Sequence, residues 1–319
     1  MKRLSLVFIL LFALLSVDQG FALTSKVLIT SGGSELIRSR VQENLSNVMN
    51  ALKPLAPERF EQSCTREGLT ALIGLKRQTG FFNVNPLYEC RLLELDNGLF
   101  EVRDIKVKVD LGSTKGNPFQ YLVFTFTPAG KIAEVRFGME RQHYSRLIEE
   151  GQALEDFVFR QQILHFIEIF RTAYNRKDLE YLRQVFSDDA LIIVGKVLQE
   201  KENAPNMLES SYLGQDQIQF IKLSKNEYIE RLKPVFVNNS FIKVQFEEIE
   251  IIRHHRIPEI YGVKLKQNWR SDSYSDTGYL FLMIDFIDPD KPLIHVRTWQ
   301  SEKFPDGSII SLGDFEIIE

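Results

Sequence analysis

Apolar residues recur at helical spacing in two early segments of the chain. From 34 to 53, leucine, isoleucine and valine return every three or four positions, and Ser34 can cap the helix that this spacing predicts. A second helix is predicted from Glu58 to about Gln78, with Pro57 at its start. The first part of the chain is therefore expected to begin with two helices.

Beyond residue 80 the apolar period changes from three or four to two, which is typical of β-strands. Turn residues such as Asn97-Gly98 and Ala129-Gly130 separate the alternating segments. The predicted strands cover 87–94, 100–109, 121–126 and 132–137. Two helices followed by antiparallel strands predict a smaller α+β domain at 23–145.

A second group of elements follows a polar stretch at 139–151, where we place the domain boundary. A strongly apolar helix is predicted at 154–176, then a short one at 179–186 that Asp178 can cap. Ser224, with Glu227 three residues later, predicts a capping box at the start of another helix. Strands are predicted at 191–194, 242–253, 260–269, 278–286, 293–300 and 315–318, and a polar insertion at 199–217.

Two segments of this second group resemble a known superfamily. The helix end at 171–178 leads into 182–195, where Phe-Ser-Asp-Asp-Ala precedes an apolar strand. This resembles the opening of nuclear transport factor 2-like domains, which include SnoaL-like cyclases and ketosteroid isomerases. The resemblance covers roughly 154–300 and implies an α+β fold for 152–319. That fold is a cystatin-like cone, in which helices pack on a strongly bent antiparallel sheet and one pocket forms between them. The N-terminal half has a similar order of elements, and a diverged second copy is one interpretation of it.

The N-terminus carries the pattern of an export signal. Lys2 and Arg3 precede an apolar run at 4–17, and Ala22 ends a small-residue cleavage pattern. The run is shorter than the roughly 20 apolar residues of a membrane span. We expect a signal peptide at 1–22, a secreted or periplasmic protein, and no membrane span after signal removal.

Composition narrows the choice of partners. A net charge of −4 without a basic stripe argues against nucleic acid as a partner. No metal or cofactor motif occurs, so neither a metal nor a cofactor is expected. Cys64 and Cys90 could form one disulfide or remain two buried thiols, and both interpretations stay open.

The last two long predicted strands carry the side chains that are the main candidates for catalysis or ligand binding. Period two places His295, Arg297 and Trp299 on one face, and Tyr279 and Asp285 share a face of the preceding strand. In the functional interpretation, Asp285 orients His295 as an acid or base and Arg297 binds an anionic group. In the structural interpretation, the same residues form an ion pair on a solvated outer face.

Two further residues are candidates for ligand contact. Trp269 could form a binding rim or cover the sheet, and His165, beside the apolar stripe of its helix, could face a ligand or lie at the core boundary. We expect an exported, non-catalytic protein that holds a small ligand or a partner in the C-terminal cone. The alternative is a SnoaL or ketosteroid isomerase type of enzyme, with Asp285 and His295 transferring a proton. A homodimer through the sheet is a third expectation.

Overall fold

The computed structural model describes residues 24–52, 56–95, 97–109, 118–150, 154–198 and 217–315. The predicted signal peptide at 1–22 lies outside these ranges. So does the polar insertion, apart from residue 217, and so does the last predicted strand, apart from Phe315.

The N-terminal half begins with a strand that the sequence analysis missed. Strand β1 (Lys26–Ser31) buries Val27 and Ile29 and pairs in parallel with β3 (Leu87–Glu94). The other elements are α1 (Glu35–Ala51), α2 (Arg66–Thr79), β2 (Phe82–Asn83), β4 (Phe100–Lys108), β5 (Phe119–Phe126) and β6 (Ile132–Gly138). The sheet order is β1-β3-β4-β5-β6, with β2 paired to β4.

The second predicted helix begins at Arg66 rather than at Glu58. The residues before it form two short 3-10 turns, Pro57–Arg59 and Glu61–Ser63. The α-helix starts after Thr65 because the Thr65 side chain accepts a hydrogen bond from the Gly68 N–H and caps it.

The C-terminal half follows a helix, α3 (Arg141–Glu149), in the segment where we placed the domain boundary. The elements are α4 (Leu154–Asn175), α5 (Leu179–Val185), β7 (Phe186–Leu198), β8 (Gln217–Leu223), α6 (Lys225–Asn238), β9 (Ile242–Arg253), β10 (Ile260–Ser271), β11 (Ser275–Asp285) and β12 (Leu293–Gln300). Asp178 caps α5, and Ser224 with Glu227 forms the predicted capping box of α6.

The C-terminal sheet has the order β8-β7-β12-β11-β10-β9. Strand β7 runs parallel to β12, and every other neighbouring pair in this sheet is antiparallel. Two helices, a strand pair, one helix and four consecutive antiparallel strands follow one another along the chain. The predicted α+β class is confirmed, and so is the order of a long helix, a short helix and then a strand. The expectation of a purely antiparallel sheet is wrong, because β7 pairs in parallel with β12 and makes the sheet mixed.

Each sheet has its own hydrophobic core. In the C-terminal half, α4 presents Ile163, Phe170 and Tyr174 to the inner face of the sheet, where aromatic rings fill the space. A smaller cluster lies on the outer face, where Phe315 stacks on Phe281 with the ring centroids 5.6 Å apart. Leu312 and Phe315 thus cover part of the outer face of the sheet. The expected homodimer through the sheet stays a prediction.

Both cysteines are free thiols in the N-terminal core. The structure agrees with the interpretation in which Cys64 and Cys90 are two buried free thiols rather than one disulfide. Burial raises the pKa of Cys64 to about 11 and that of Cys90 to about 12, so both thiols are protonated at neutral pH.

Candidate functional site

The late strands do not place the predicted residues on one face. Strands β11 and β12 pair with one extra residue, His295, on β12. Such a bulge shifts the alternation by one position, so residues on its two sides no longer follow a simple period of two. The expectation that His295 shares a face with Arg297 and Trp299 is therefore wrong.

Asp285 and His295 contact each other on the outer side of the sheet. Asp285 Oδ2 lies 3.2 Å from His295 Nε2, and the other carboxylate oxygen accepts the Ile287 N–H at 2.6 Å. The His295 side chain is 36% exposed. Tyr279, on the same face as Asp285, lies under the Lys303 ammonium at 5.1 Å. These residues form a partly solvated pair and a stacked ring rather than the wall of an enclosed pocket.

Arg297, Trp299 and Trp269 belong to the inner side. The Arg297 guanidinium lies 4.9 Å from the centre of the Tyr228 ring, and the Trp269 ring lies 5.7 Å from that of Tyr174. Arg297 Nε and Nη1 and Trp299 Nε1 are buried without a hydrogen-bond partner in the described part of the chain. Trp299 belongs to the C-terminal core, Trp269 packs against that core, and Arg297 is buried beside Tyr228.

A cavity of about 780 Å³ lies where α4 and α5 meet the N-terminal half. We call it the central cavity. Its size falls within the usual range of small-molecule sites, and sites between domains are common. The N-terminal half contributes Leu95, Asn97, Glu101 and Arg136. The other walls are Tyr144, Val158, Gln161, Gln162, His165, Phe166, Ile169, Tyr181, Gln184, Val185, Phe286 and residues 288–293.

Beside the central cavity lies a cluster of buried ion pairs, the charge cluster, formed by Glu101, Arg103, Arg136 and Glu168. Arg103 Nη1 lies 2.8 Å from Glu101 Oε1, and Arg136 Nε lies 3.1 Å from Glu168 Oε2. Arg103 also pairs with Glu168, and Arg136 with Glu101. Each carboxylate thus binds both guanidinium groups, so the cluster links α4 to β4 and β6.

The charge cluster fixes the protonation of its members. Burial alone would raise the pKa of Glu101, but the charges of Arg136 and Arg103 outweigh it and hold the pKa at about 2. The same two arginines outweigh burial at Glu168 and lower its pKa. Both carboxyl groups are therefore ionised at neutral pH, and they compensate the two buried guanidinium charges.

His165 is the one predicted site residue on the wall of the central cavity. Its Nε2 lies 3.9 Å from Glu134 Oε2. Partial burial and the positive charge of Arg136 lower the pKa of His165, so the imidazole is neutral at pH 7. A neutral imidazole can accept a proton or a hydrogen bond.

Gln162 and Tyr181 are wall residues that sequence reasoning missed. Gln162 Oε1 is buried and accepts no hydrogen bond from the described residues. Burial raises the pKa of Tyr181, which keeps its hydroxyl protonated. Neither residue stands in a motif, and the only signal for them would have been their position on helix faces that turn toward the other half.

The described ranges contain neither a metal-ligand group nor a membrane-spanning helix. No group of three or more histidine, cysteine, aspartate or glutamate side chains there is placed to hold a metal ion. No helix in those ranges is both long and apolar enough to cross a membrane.

Comparisons with known proteins give similarity at the level of fold. No protein-family model matches the sequence, and no curated protein matches it. Among solved structures, the chain is similar to Bdellovibrio bacteriovorus Bd1075, with 13% identity over 66% of this chain and 74% of that one, at a TM-score of 0.33. It is also similar to a nuclear transport factor 2-like protein from Cytophaga hutchinsonii, with 13% identity over 44% of this chain and 97% of that one, at 0.31. A naphthalene 1,2-dioxygenase with indole bound in its active site matches at 6% identity over 51% of this chain and 89% of that one, at 0.36. These values say nothing about activity or ligand.

Proposed function

We propose that the protein is an exported, secreted or periplasmic, binding protein that holds a small and mainly apolar molecule in the central cavity. Export rests on the charged and apolar pattern of residues 1–22. The binding role rests on one observation above all. A cavity of about 780 Å³ has a wall that is mainly apolar and aromatic, with few polar groups that still need partners.

The charges beside the central cavity argue for an uncharged ligand. Arg136 already pairs with Glu101, Glu134 and Glu168, so it has little positive charge left to attract an anion. An uncharged molecule would leave these pairs intact, whereas a charged one would have to compete with them.

The residues that line the central cavity favour a flat or ring-shaped apolar ligand that carries a hydrogen-bond donor. Aromatic rings of Tyr144, Phe166, Tyr181 and Phe286 line the cavity. The unpartnered Gln162 Oε1 is an acceptor, and a ligand hydroxyl or amide N–H would satisfy it. The ligand class is therefore an uncharged aromatic or alicyclic molecule with one such donor.

Binding can be tested with the neutral apolar dye Nile red and a panel of competing hydroxylated ring compounds. Ile169→Trp places a larger side chain in the cavity and should abolish dye binding. Val237→Trp is the matched control, because Val237 is 81% exposed on α6. Gln162→Leu should weaken the hydroxylated competitors about tenfold while leaving the dye unaffected. Equal dye binding by Ile169→Trp and the unaltered protein would contradict the proposal.

His165 favours a second candidate function, proton transfer next to a carbonyl group. Its neutral imidazole lies on the wall, with the Glu134 carboxylate 3.9 Å away. A bound ketone would then exchange its α-hydrogens with solvent deuterium, as measured by NMR. If the exchange rate with His165→Gln equals that with the unaltered protein for every ketone tried, His165 is not the base.

A further inference from the structure

The adjoining ends of β9, β10 and β11 carry a second cavity, of about 370 Å³, which is independent of the central cavity. We call it the strand-end site. Trp269 and Asp276 also border it, but Trp269 directs its ring toward Tyr174 in the core. Alternation therefore places the residues on either side of Trp269 on the opposite, outer face. In cross-strand rows these residues are Lys243, Arg270 and Ser275, and then Gln245, Asn268 and Thr277.

A third cation lies behind Lys243 and Arg270. Arg171 on α4 is buried, and its Nε and Nη2 have no hydrogen-bond partner among the described residues. One turn later, the Asn175 side chain accepts the Val244 N–H at 2.5 Å and donates to the Val244 carbonyl at 3.3 Å. These two bonds hold α4 against β9 beside Lys243.

Burial and the positive charges of Arg270 and Arg171 lower the pKa of Lys243. Together they bring this pKa to about 8. From the N-terminal half, the side chains that line a small cavity together with Lys243 are uncharged, Gln78, Thr79 and Gln120 among them. Within the described ranges, three cations, Arg171, Lys243 and Arg270, therefore lie close together at this end of the sheet.

Among the described residues that line the strand-end site, Asp276 carries the one carboxyl group, and it does not offset this charge on the outer face. Asp276 lies in the same cross-strand row as Trp269, and its Oδ2 accepts the Tyr274 hydroxyl at 2.8 Å. Burial raises the pKa of Asp276.

We propose that the strand-end site binds an anionic sugar, a carbohydrate that carries a carboxylate or phosphate group. Lys243 and Arg270 supply charge-assisted hydrogen bonds for the anionic group. The amides of Gln245 and Asn268 and the hydroxyls of Ser275 and Thr277 offer both donors and acceptors for sugar hydroxyls.

Calorimetric titration with glucose 6-phosphate, glucuronate, glucose and inorganic phosphate tests this assignment. One or both of the anionic sugars should bind about tenfold or more tightly than glucose, and the difference between them identifies the anionic group. Arg270→Gln should weaken that binding about tenfold, because it removes one charge-assisted contact. Lys266→Gln is the control, since Lys266 lies on the same face of β10 but pairs with Glu248 at 3.3 Å.

The pH dependence of sugar binding provides a second test of the proposal, and this test does not need a variant that removes a charge. Lys243 faces Arg270 from β10 and Arg171 from α4, and it loses its proton as the pH rises through about 8. Sugar binding should therefore weaken from pH 7 to 9, and Lys243→Arg should remove this dependence because arginine stays charged. Equal affinity for glucose and the anionic sugars would overturn the proposal. So would tighter binding of inorganic phosphate than of any sugar, or an affinity that Arg270→Gln leaves unchanged.

Discussion

Two arginine environments lie within one turn of each other along α4. At Glu168, the guanidinium groups of Arg103 and Arg136 pair with carboxylates, and the whole cluster is buried. At Arg171, a guanidinium is equally buried but has two nitrogens without partners, and two further cations lie nearby. The comparison separates a buried charge that holds two parts of the protein together from one whose hydrogen-bonding groups are only partly used. A paired carboxylate distinguishes the first environment from the second.

The largest effect should come from removing the carboxylate of the charge cluster. Glu168→Gln leaves two buried arginines with one shared partner fewer, and we expect a loss of about 3–5 kcal/mol in the free energy of unfolding. Urea denaturation would measure it. Glu250→Gln, which removes an exposed partner of Lys264, should cost less than about 1 kcal/mol. Similar losses for the two variants would mean that the charge cluster does not join the halves.

Acid should break the same cluster without a mutation. The pKa of Glu101 is about 2 in the folded protein, against about 4.3 in an unfolded chain. A carboxylate with a lowered pKa stabilises the fold at pH values above its unfolded pKa, and that contribution disappears as the pH falls toward 2. The urea midpoint should therefore drop between about pH 5 and pH 2. A midpoint that stays constant over this range would contradict the assignment.

A smaller effect is expected for a neutral hydrogen bond in the same region. The Phe137 N–H donates to Thr172 Oγ1 at 3.0 Å, and both groups are buried. Thr172→Val would leave this N–H unsatisfied and should cost about 1–3 kcal/mol in urea denaturation. Thr172→Ser, which retains the hydroxyl, is the control. If both variants lose the same amount, the hydrogen bond is not the cause.

The smallest effect should come from Arg171. Arg171→Met replaces a buried, partly unpartnered guanidinium by an apolar side chain of similar length. The free energy of unfolding without added ligand should therefore change by less than about 1 kcal/mol or increase. A loss as large as that of Glu168→Gln would show that Arg171 has a partner of equal strength, and the contrast between the two sites would disappear.

The strand order of the two halves gives a second contrast. In the N-terminal sheet, β1 pairs in parallel with the first strand of the four-stranded meander, whereas in the C-terminal sheet β7 pairs in parallel with the last. The shared layout of helices and strands thus does not extend to strand order. A relation by duplication stays a prediction.

Local chemistry predicted the helix caps and most strand bounds. Ser34, Asp178 and Ser224 cap helices as expected, because a cap depends on residues only a few positions apart. The bulge at His295 was not predictable in this way, since it arises from the pairing of two strands. The central cavity depends on side chains more than 60 positions apart along the chain, as Glu101 and His165 are. The spacing of apolar residues along the sequence carries no information about contacts between distant segments. His165 is therefore the one residue of the central cavity that the sequence analysis proposed as a ligand contact.

The segment after β12 gives the outer sheet face a cover made from the same chain. Leu312 and Phe315 pack over Phe281, Met283 and Val296, which would otherwise form an apolar patch on the sheet surface. Exposed apolar patches of that kind commonly mediate association with other proteins. Here, any neighbour that is to reach those side chains must first displace the cover, so self-association through this face competes with an intramolecular contact at high effective concentration.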